Sequence, residues 1–301
     1  MNHNIHGFLI QNIGDADIPY LLYNGPDEHA QNVILLHATG FPPQLWHPVA
    51  VKLSQAYRVI ALLYCDHREA DSKTEAVNWM TLANDLAQIC RKLNIEKPFV
   101  AGHSMGATVA ALSEAACGLD AAALVLIEPI FLIPELYHIP FTVYDHPFAS
   151  KSIKRIDYWR DEVELRQYLK SRTLFQRWDS DILELYIKYG FKKDQEGGMR
   201  LVCSPQREAE LFMGGMKYDP WSLFPQIHCP VLVLEGENSE NRIYAALEKA
   251  CSLMPQGSYL RTVDAGHLIP MEKPNEMADI IMDYIQGIQK KSAEGIPSKK
   301  K

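Results

Sequence analysis

Closely spaced cysteine motifs are missing from this chain. Its six, Cys65, Cys90, Cys117, Cys203, Cys229 and Cys251, form no C-x-x-C motif and no His-paired metal spacing, so free thiols in a reducing compartment are expected. No apolar run approaches the roughly 18 residues that a membrane-spanning helix needs. Residues Met1 to His6 contain no basic region followed by an apolar segment, so a cytoplasmic, non-membrane protein is expected. Lys and Arg form no stripe except the terminal Lys299-Lys300-Lys301, and the formal charge of -7 argues against a nucleic-acid partner. With 47% hydrophobic and 22% charged residues in 301, the chain can bury a sizeable core, which suits one core domain with an insertion.

The most informative stretch is Gly102-His103-Ser104-Met105-Gly106. This G-x-S-x-G lies between an apolar run, Pro98 to Ala101, and a small-residue helix starting at Ala107. A strand-to-helix turn this tight needs glycines where a side chain would clash, and it exposes the Ser104 hydroxyl above a helix N-terminus. Two distant places agree with that context. Asn32 to Leu36 is a buried-strand run leading into His37-Ala38-Thr39-Gly40-Phe41-Pro42, with Trp46 beyond, and Ser258 to Val263 leads into Asp264-Ala265-Gly266-His267. With these three motifs in this order, the chain resembles the α/β-hydrolase superfamily over nearly all of residues 7 to 288.

The resemblance implies an α/β fold with an eight-stranded, mostly parallel sheet flanked by helices and carrying an inserted helical cap. The pattern itself gives eight strands, at Gly7–Ile13, Ile18–Tyr23, Asn32–His37, Tyr57–Leu63, Pro98–Gly102, Ala122–Ile127, Val231–Glu235 and Ser258–Val263. Leu82, Leu86, Ile89 and Leu93 recur at helical spacing, as do Met277, Ile280, Ile281, Tyr284 and Ile285. Pro274 suits the first helical position of the last element. Residues 1–130 and 226–290 are read as the core and 131–225 as the cap; 291–301 are read as a disordered tail. Within the cap, helices are expected over Asp161 to Ser171, over Asp181 to Tyr189, and over Pro205 to Met213 after a capping Ser204.

A serine hydroxyl attacks only when a neighbour takes its proton, and an imidazole suits that task near neutral pH, so His267 is expected to close onto Ser104. An alkoxide attacks acyl carbon. The resulting oxyanion needs two N–H donors, one from Met105. Counting along the loop pattern of similar hydrolases places the other at Thr39, with Phe41 as the alternative because Ala38 replaces a usual glycine. His37 reads as an orienting partner in that loop. The acid is less direct: most similar enzymes put an aspartate where this chain has Ser239, within Gly236-Glu237-Asn238-Ser239-Glu240. Glu128, ending the preceding strand as in haloalkane dehalogenases, is favoured, with Glu240 as the alternative.

Phe41, Phe131, Trp159 and Trp178 are candidates to line an apolar pocket, in which charged acyl groups should be poor. Asp66-His67-Arg68 reads as structural. The implied activity is cleavage of small to medium apolar acyl esters through an acyl-enzyme at Ser104, on a small-molecule ester substrate, with no cofactor and no metal. A carbon-carbon bond hydrolase or a cofactor-free perhydrolase could use the same three residues. A receptor-like or scaffold protein that only binds a ligand is the alternative from another class.

Overall fold

A computed structural model describes residue 5 and residues 7–64 and 66–294. Six strands come first: β1 (Leu9–Asn12), β2 (Asp17–Tyr23), β3 (Asn32–Leu36), β4 (Arg58–Leu62), β5 (Phe99–His103) and β6 (Ala123–Ile127). Among them run α1 (His47–Leu53), α2 (Trp79–Lys92) and α3 (Met105–Ala116). An inserted segment follows, with α4 (Ala149–Ser152), β7 (Tyr158–Trp159), α5 (Glu162–Ser171), α6 (Ser180–Tyr189), β8 (Phe191–Lys193), β9 (Met199–Leu201) and α7 (Pro205–Gly214). The chain then completes the main sheet with β10 (Val231–Gly236), α8 (Leu247–Ser252), β11 (Gly257–Thr262), α9 (Ile269–Glu272) and α10 (Pro274–Glu294).

The main sheet has eight strands in the order β1-β2-β4-β3-β5-β6-β10-β11. β2 is antiparallel to both neighbours, and every pairing from β4 to β11 is parallel. Each expected strand is present, with ends shifted by a residue or two. The central strands read as unbroken apolar runs because both faces are covered. Ile34, Leu36, Val100, Leu124, Leu126 and Val233 pack with α2 and α3, while Val33, Leu35, Phe99, Ala101, Val125 and Leu234 pack with α1 and α10. Period-two alternation thus divides each strand between two cores. Leu82, Leu86 and Ile89 of α2 are fully buried, each contributing about 1.5–3 kcal/mol.

The inserted segment starts at Phe131, whose ring meets Phe224 at 4.6 Å, so its two ends close on each other. Asp161 caps α5 by accepting from the Glu164 N–H, and Ser204 caps α7 by accepting from Arg207. α7 docks on the core where Trp79 Nε1 donates to the Leu211 carbonyl at 2.8 Å. The segment is not purely helical: β7, β9 and β8 form a three-stranded antiparallel sheet in that order. Strands of two or three residues are too short to show alternation. The one signal for them is the turn Asp194 to Gly198, where Asp194 Oδ1 accepts from the N–H groups of Glu196 and Gly198 and Gly197 takes φ 89°.

Residues 291–294, read as part of a disordered tail, are helical instead, because α10 continues through Glu294 on a run of good helix formers, Gln289-Lys290-Lys291 among them. Residues 295–301 lie outside the described residues, as does Cys65. The other five cysteines are free. Among the described residues, no helix is long and apolar enough to cross a membrane.

Candidate active site

The parallel strands β3, β5, β6, β10 and β11 all point their carboxyl ends to one edge, and the loops there carry Thr39, Ser104, Glu128, Ser239 and His267. Ser104 follows β5 at φ 53°, ψ -114°, a strained turn between strand and helix. Its N–H donates to the Ile127 carbonyl at 2.9 Å, continuing the β5–β6 ladder one residue past the strand. The two glycines answer to space. A Cβ at Gly102 would lie 2.5 Å from the Gly106 backbone, and one at Gly106 would lie 2.6 Å from Leu36. α3 begins at Met105, so its N-terminus sits beneath the serine.

His267 Nε2 lies 3.2 Å from Ser104 Oγ, and its Nδ1 lies 2.9 Å from Glu128 Oε2. Glu128 is buried, with φ 50°, and accepts two further bonds: from the Gly236 N–H at 2.6 Å and from Ser239 Oγ at 2.7 Å. Ser239, at the position where most similar enzymes have an aspartate, therefore holds the carboxylate that ends the neighbouring strand. Neither Glu240 nor Glu237 reaches the imidazole. Glu240 is exposed at the start of the 3-10 turn Glu240–Ile243, and Glu237 accepts from the Asp264 N–H at 3.0 Å.

Two partners of His267 escaped the sequence reading. The Asn241 amide approaches Nδ1 at 2.9 Å. The amide atom nearest the ring is Nδ2; Nδ1 carries a single hydrogen, and with that hydrogen given to Glu128 the amide bonds the ring only by turning Oδ1 inward to share it. The signal was position: Asn241 lies two residues after Ser239 on the same loop. His103, inside the elbow motif, donates from Nε2 to the His267 carbonyl at 2.9 Å, and its ring lies tilted against that of His267 with centroids 5.1 Å apart.

In the loop after β3, the Phe41 N–H donates to the Ala38 carbonyl at 3.2 Å, so it is engaged in its own turn. Thr39 is buried beside the cavity, and among the described residues its N–H has no partner, nor has that of Met105 in the first turn of α3. His37 supports the loop from below: Nδ1 donates to the Ala38 carbonyl at 2.7 Å and Nε2 accepts from the Tyr64 N–H at 2.8 Å.

A cavity of about 1110 Å³ opens over Ser104 and His267. Phe41 lines it, as do Trp79, Ile130, Leu132, Phe148 and Phe212. Three aromatic candidates do not. Phe131 is buried against Phe224, while Trp159 and Trp178 lie in the core of the inserted segment with Phe175, Tyr186 and Phe191. A small subdomain needs its largest side chains for its own packing, and that requirement takes the two tryptophans, while Phe131 is taken by the main core. The wall is also less apolar than expected, since Lys151, Arg155, Arg172 and Arg177 contribute to it.

Residues 33–280 match the alpha/beta hydrolase family. The chain belongs to that family. It is 25% identical over 293 residues to 3-oxoadipate enol-lactonase 1 of Acinetobacter baylyi, covering 95% of this chain and 99% of that protein. It is 26% identical over 227 residues to the abhydrolase domain-containing protein ACTT2-1 of Alternaria alternata, covering 64% of this chain and 84% of that one. Among solved structures, E-2-(acetamidomethylene)succinate hydrolase shares the fold with a TM-score of 0.75 at 19% identity, over 93% of this chain and 99% of that one.

Around this alpha/beta hydrolase centre, the other conspicuous polar residues are structural. His67 and Arg68 both bond the buried Asp85, at 3.0 Å and 2.6–2.8 Å, and Arg68 also pairs with Asp15. Burial pushes the Asp85 carboxyl up, but its bonds to Arg68 and His67 outweigh this and hold it low. Burial lowers His37 and His146 to about 4, and His103 well below its ordinary 6.5. Above pH 6.5 these rings are neutral in both folded and unfolded chains. As pH falls from 6.5 to 4, the unfolded chain takes up protons that the folded rings refuse, so stability is lost across that window, by about 3 kcal/mol for His37. Urea midpoints measured at pH 7.5, 6 and 5 should fall steadily; a constant midpoint would contradict the neutral, buried assignment.

Proposed function

We propose that the chain is a serine hydrolase that cleaves carboxylic esters of small to medium acyl groups through an acyl-enzyme at Ser104. The observation that carries this reading is the continuous array of Ser104 Oγ, His267 Nε2 at 3.2 Å, and Glu128 Oε2 at 2.9 Å from Nδ1, opening into a cavity. His267 takes the Ser104 proton as the hydroxyl oxygen attacks the ester carbonyl. The N–H groups of Thr39 and Met105 stabilise the tetrahedral oxyanion. Collapse of that intermediate expels the alcohol, which receives the proton from His267. Water then attacks the acyl-enzyme by the same route in reverse and releases the acid.

Glu128 keeps the proton of His267 on Nδ1 and stabilises the imidazolium that forms in each half-reaction. Ser239 and Asn241 hold that pair in register. The inserted segment acts as a cap, supplying Phe148, Phe212 and Tyr186 to the cavity wall. A serine nucleophile suits acyl transfer, and the unoccupied N–H groups at Thr39 and Met105 favour an enzyme over a protein that only binds.

A fluorophosphonate should label Ser104 and no other serine, as read by peptide mapping. On p-nitrophenyl esters, kcat/KM should rise from acetate over the next few carbons, by up to about fourfold per methylene given about 0.8 kcal/mol for each one buried. An absence of labelling at Ser104 would end the serine mechanism, and a falling series would end the apolar acyl subsite.

A further inference from the structure

The chain carries a formal charge of -7, yet the wall of the cavity over Ser104 is basic. Five cations line it, Lys151, Lys154, Arg155, Arg172 and Arg177, against three carboxylates, Glu208, Glu240 and Glu272. Two of those carboxylates are already neutralised. Arg155 Nη1 donates to both oxygens of Glu208 at 2.8 Å, and Arg177 donates to Glu272 at 2.9 Å. Lys151, Lys154 and Arg172 are left with Glu240 alone in the same cavity. Among the described residues, none of the three cations has a carboxylate within ion-pair distance.

Two of these cations are oriented without being neutralised. The Arg172 guanidinium lies 4.4 Å from the centre of the Tyr168 ring, and the Lys151 ammonium lies 5.9 Å from that of Phe148. Both rings line the cavity, and a cation held over an aromatic face keeps its full charge for a ligand. Lys151, Lys154 and Arg172 are solvent-exposed at the cavity wall, so their attraction for an anion is open to screening by salt. The mutually neutralised Arg155–Glu208 pair sits against the loop after β3, where a Cβ on Gly40 would lie 2.3 Å from Glu208 Oε1.

We propose, resting on the ester-hydrolase reading, that the cavity takes esters or thioesters carrying a second, anionic group remote from the scissile carbonyl. That carboxylate or phosphate is held by Lys151, Lys154 and Arg172, while the carbon chain beside the carbonyl lies on the apolar part of the wall. The anion can belong to the acyl side, as in a dicarboxylic half-ester, or to a phosphate-bearing leaving group. The chemistry of recognition is the same for both.

Two matched pairs separate them. p-Nitrophenyl butyrate and mono-p-nitrophenyl glutarate differ by a carboxylate on the acyl side; butyryl-pantetheine and butyryl-4′-phosphopantetheine differ by one phosphate on the leaving group. In at least one pair, kcat/KM for the anionic member should exceed that of its neutral partner tenfold or more, and the winning pair identifies the source. That ratio should fall toward one in 0.5 M salt and in the folded triple variant K151Q/K154Q/R172Q. The double variant K192Q/K193Q, on exposed β8 away from the cavity, should keep the wild-type ratio. Ratios at or below one in both pairs, or ratios that the triple substitution does not move, overturn the proposal while ester hydrolysis stands. If none of the four substrates turns over and Ser104 resists fluorophosphonate, the hydrolase reading fails by itself. Calorimetry of glutarate and 4′-phosphopantetheine on the S104A background still decides the anion site: tenfold weaker binding in the triple variant supports it, and no binding overturns it.

Discussion

Ser104→Ala should lose 10⁴-fold to 10⁶-fold in kcat on p-nitrophenyl butyrate, on the order of what nucleophile removal costs in serine hydrolases generally, while its fold is retained. The two halves of that expectation have separate causes. Catalysis fails because the methyl group cannot form the acyl-enzyme, and among the described residues no other hydroxyl bonds His267 Nε2. Folding survives because the features that shape the elbow are not in the hydroxyl. The Ser104 N–H bond to Ile127, the Thr108 contacts to the Ser104 carbonyl and the close approach of Gly106 to Leu36 all belong to the backbone or to neighbours. The hydroxyl contributes one bond to His267 at 3.2 Å, worth about 1 kcal/mol, so melting should shift by only about 2–4 °C. Wild-type turnover in this variant would remove Ser104 from the chemistry. A lost circular dichroism spectrum would mean that the elbow depends on the hydroxyl after all.

What the sequence made legible follows from how local each constraint is. The central strands were readable because a sheet covered on both faces demands unbroken apolar runs such as Val33 to Leu36 and Leu124 to Ile127. Ser104 and His267 were readable because a glycine pair around a strand-to-helix turn and a histidine past the last strand are short-range patterns. The small sheet of the inserted segment was not, since β7, with only Tyr158 and Trp159, has no period to detect. Nor were the cavity walls: whether Trp178 turns inward to Phe175 and Tyr186 or outward to substrate is set by packing among distant helices. Arg155 is the clearest case. Nothing in Lys154-Arg155-Ile156 announces that its guanidinium meets Glu208, 53 residues away, beside the loop after β3.

Glu128→Gln is expected to cost on the order of 10⁴ in kcat near neutral pH, by analogy with the amide substitution in the serine-protease triad. The geometry of this site says why an isosteric change would be so damaging. The oxygen facing Gly236 must accept from its N–H at 2.6 Å, which fixes the amide and turns its NH₂ toward His267 and Ser239. Ser239 can rotate its hydroxyl to accept, but His267 Nδ1 would then have to accept as well. Its proton moves to Nε2, where it faces Ser104 and prevents proton abstraction. Glu237→Gln and Glu240→Gln, neither of which touches the ring, should stay within about tenfold of wild type. Measuring kcat for the three variants alongside circular dichroism decides the matter. The reverse ranking would move the acid to the loop after β10. If all three losses are mild, the Asn241 amide at 2.9 Å from Nδ1 holds the imidazole tautomer without a carboxylate, and removing Asn241 from the Glu128→Gln background should then produce the missing loss.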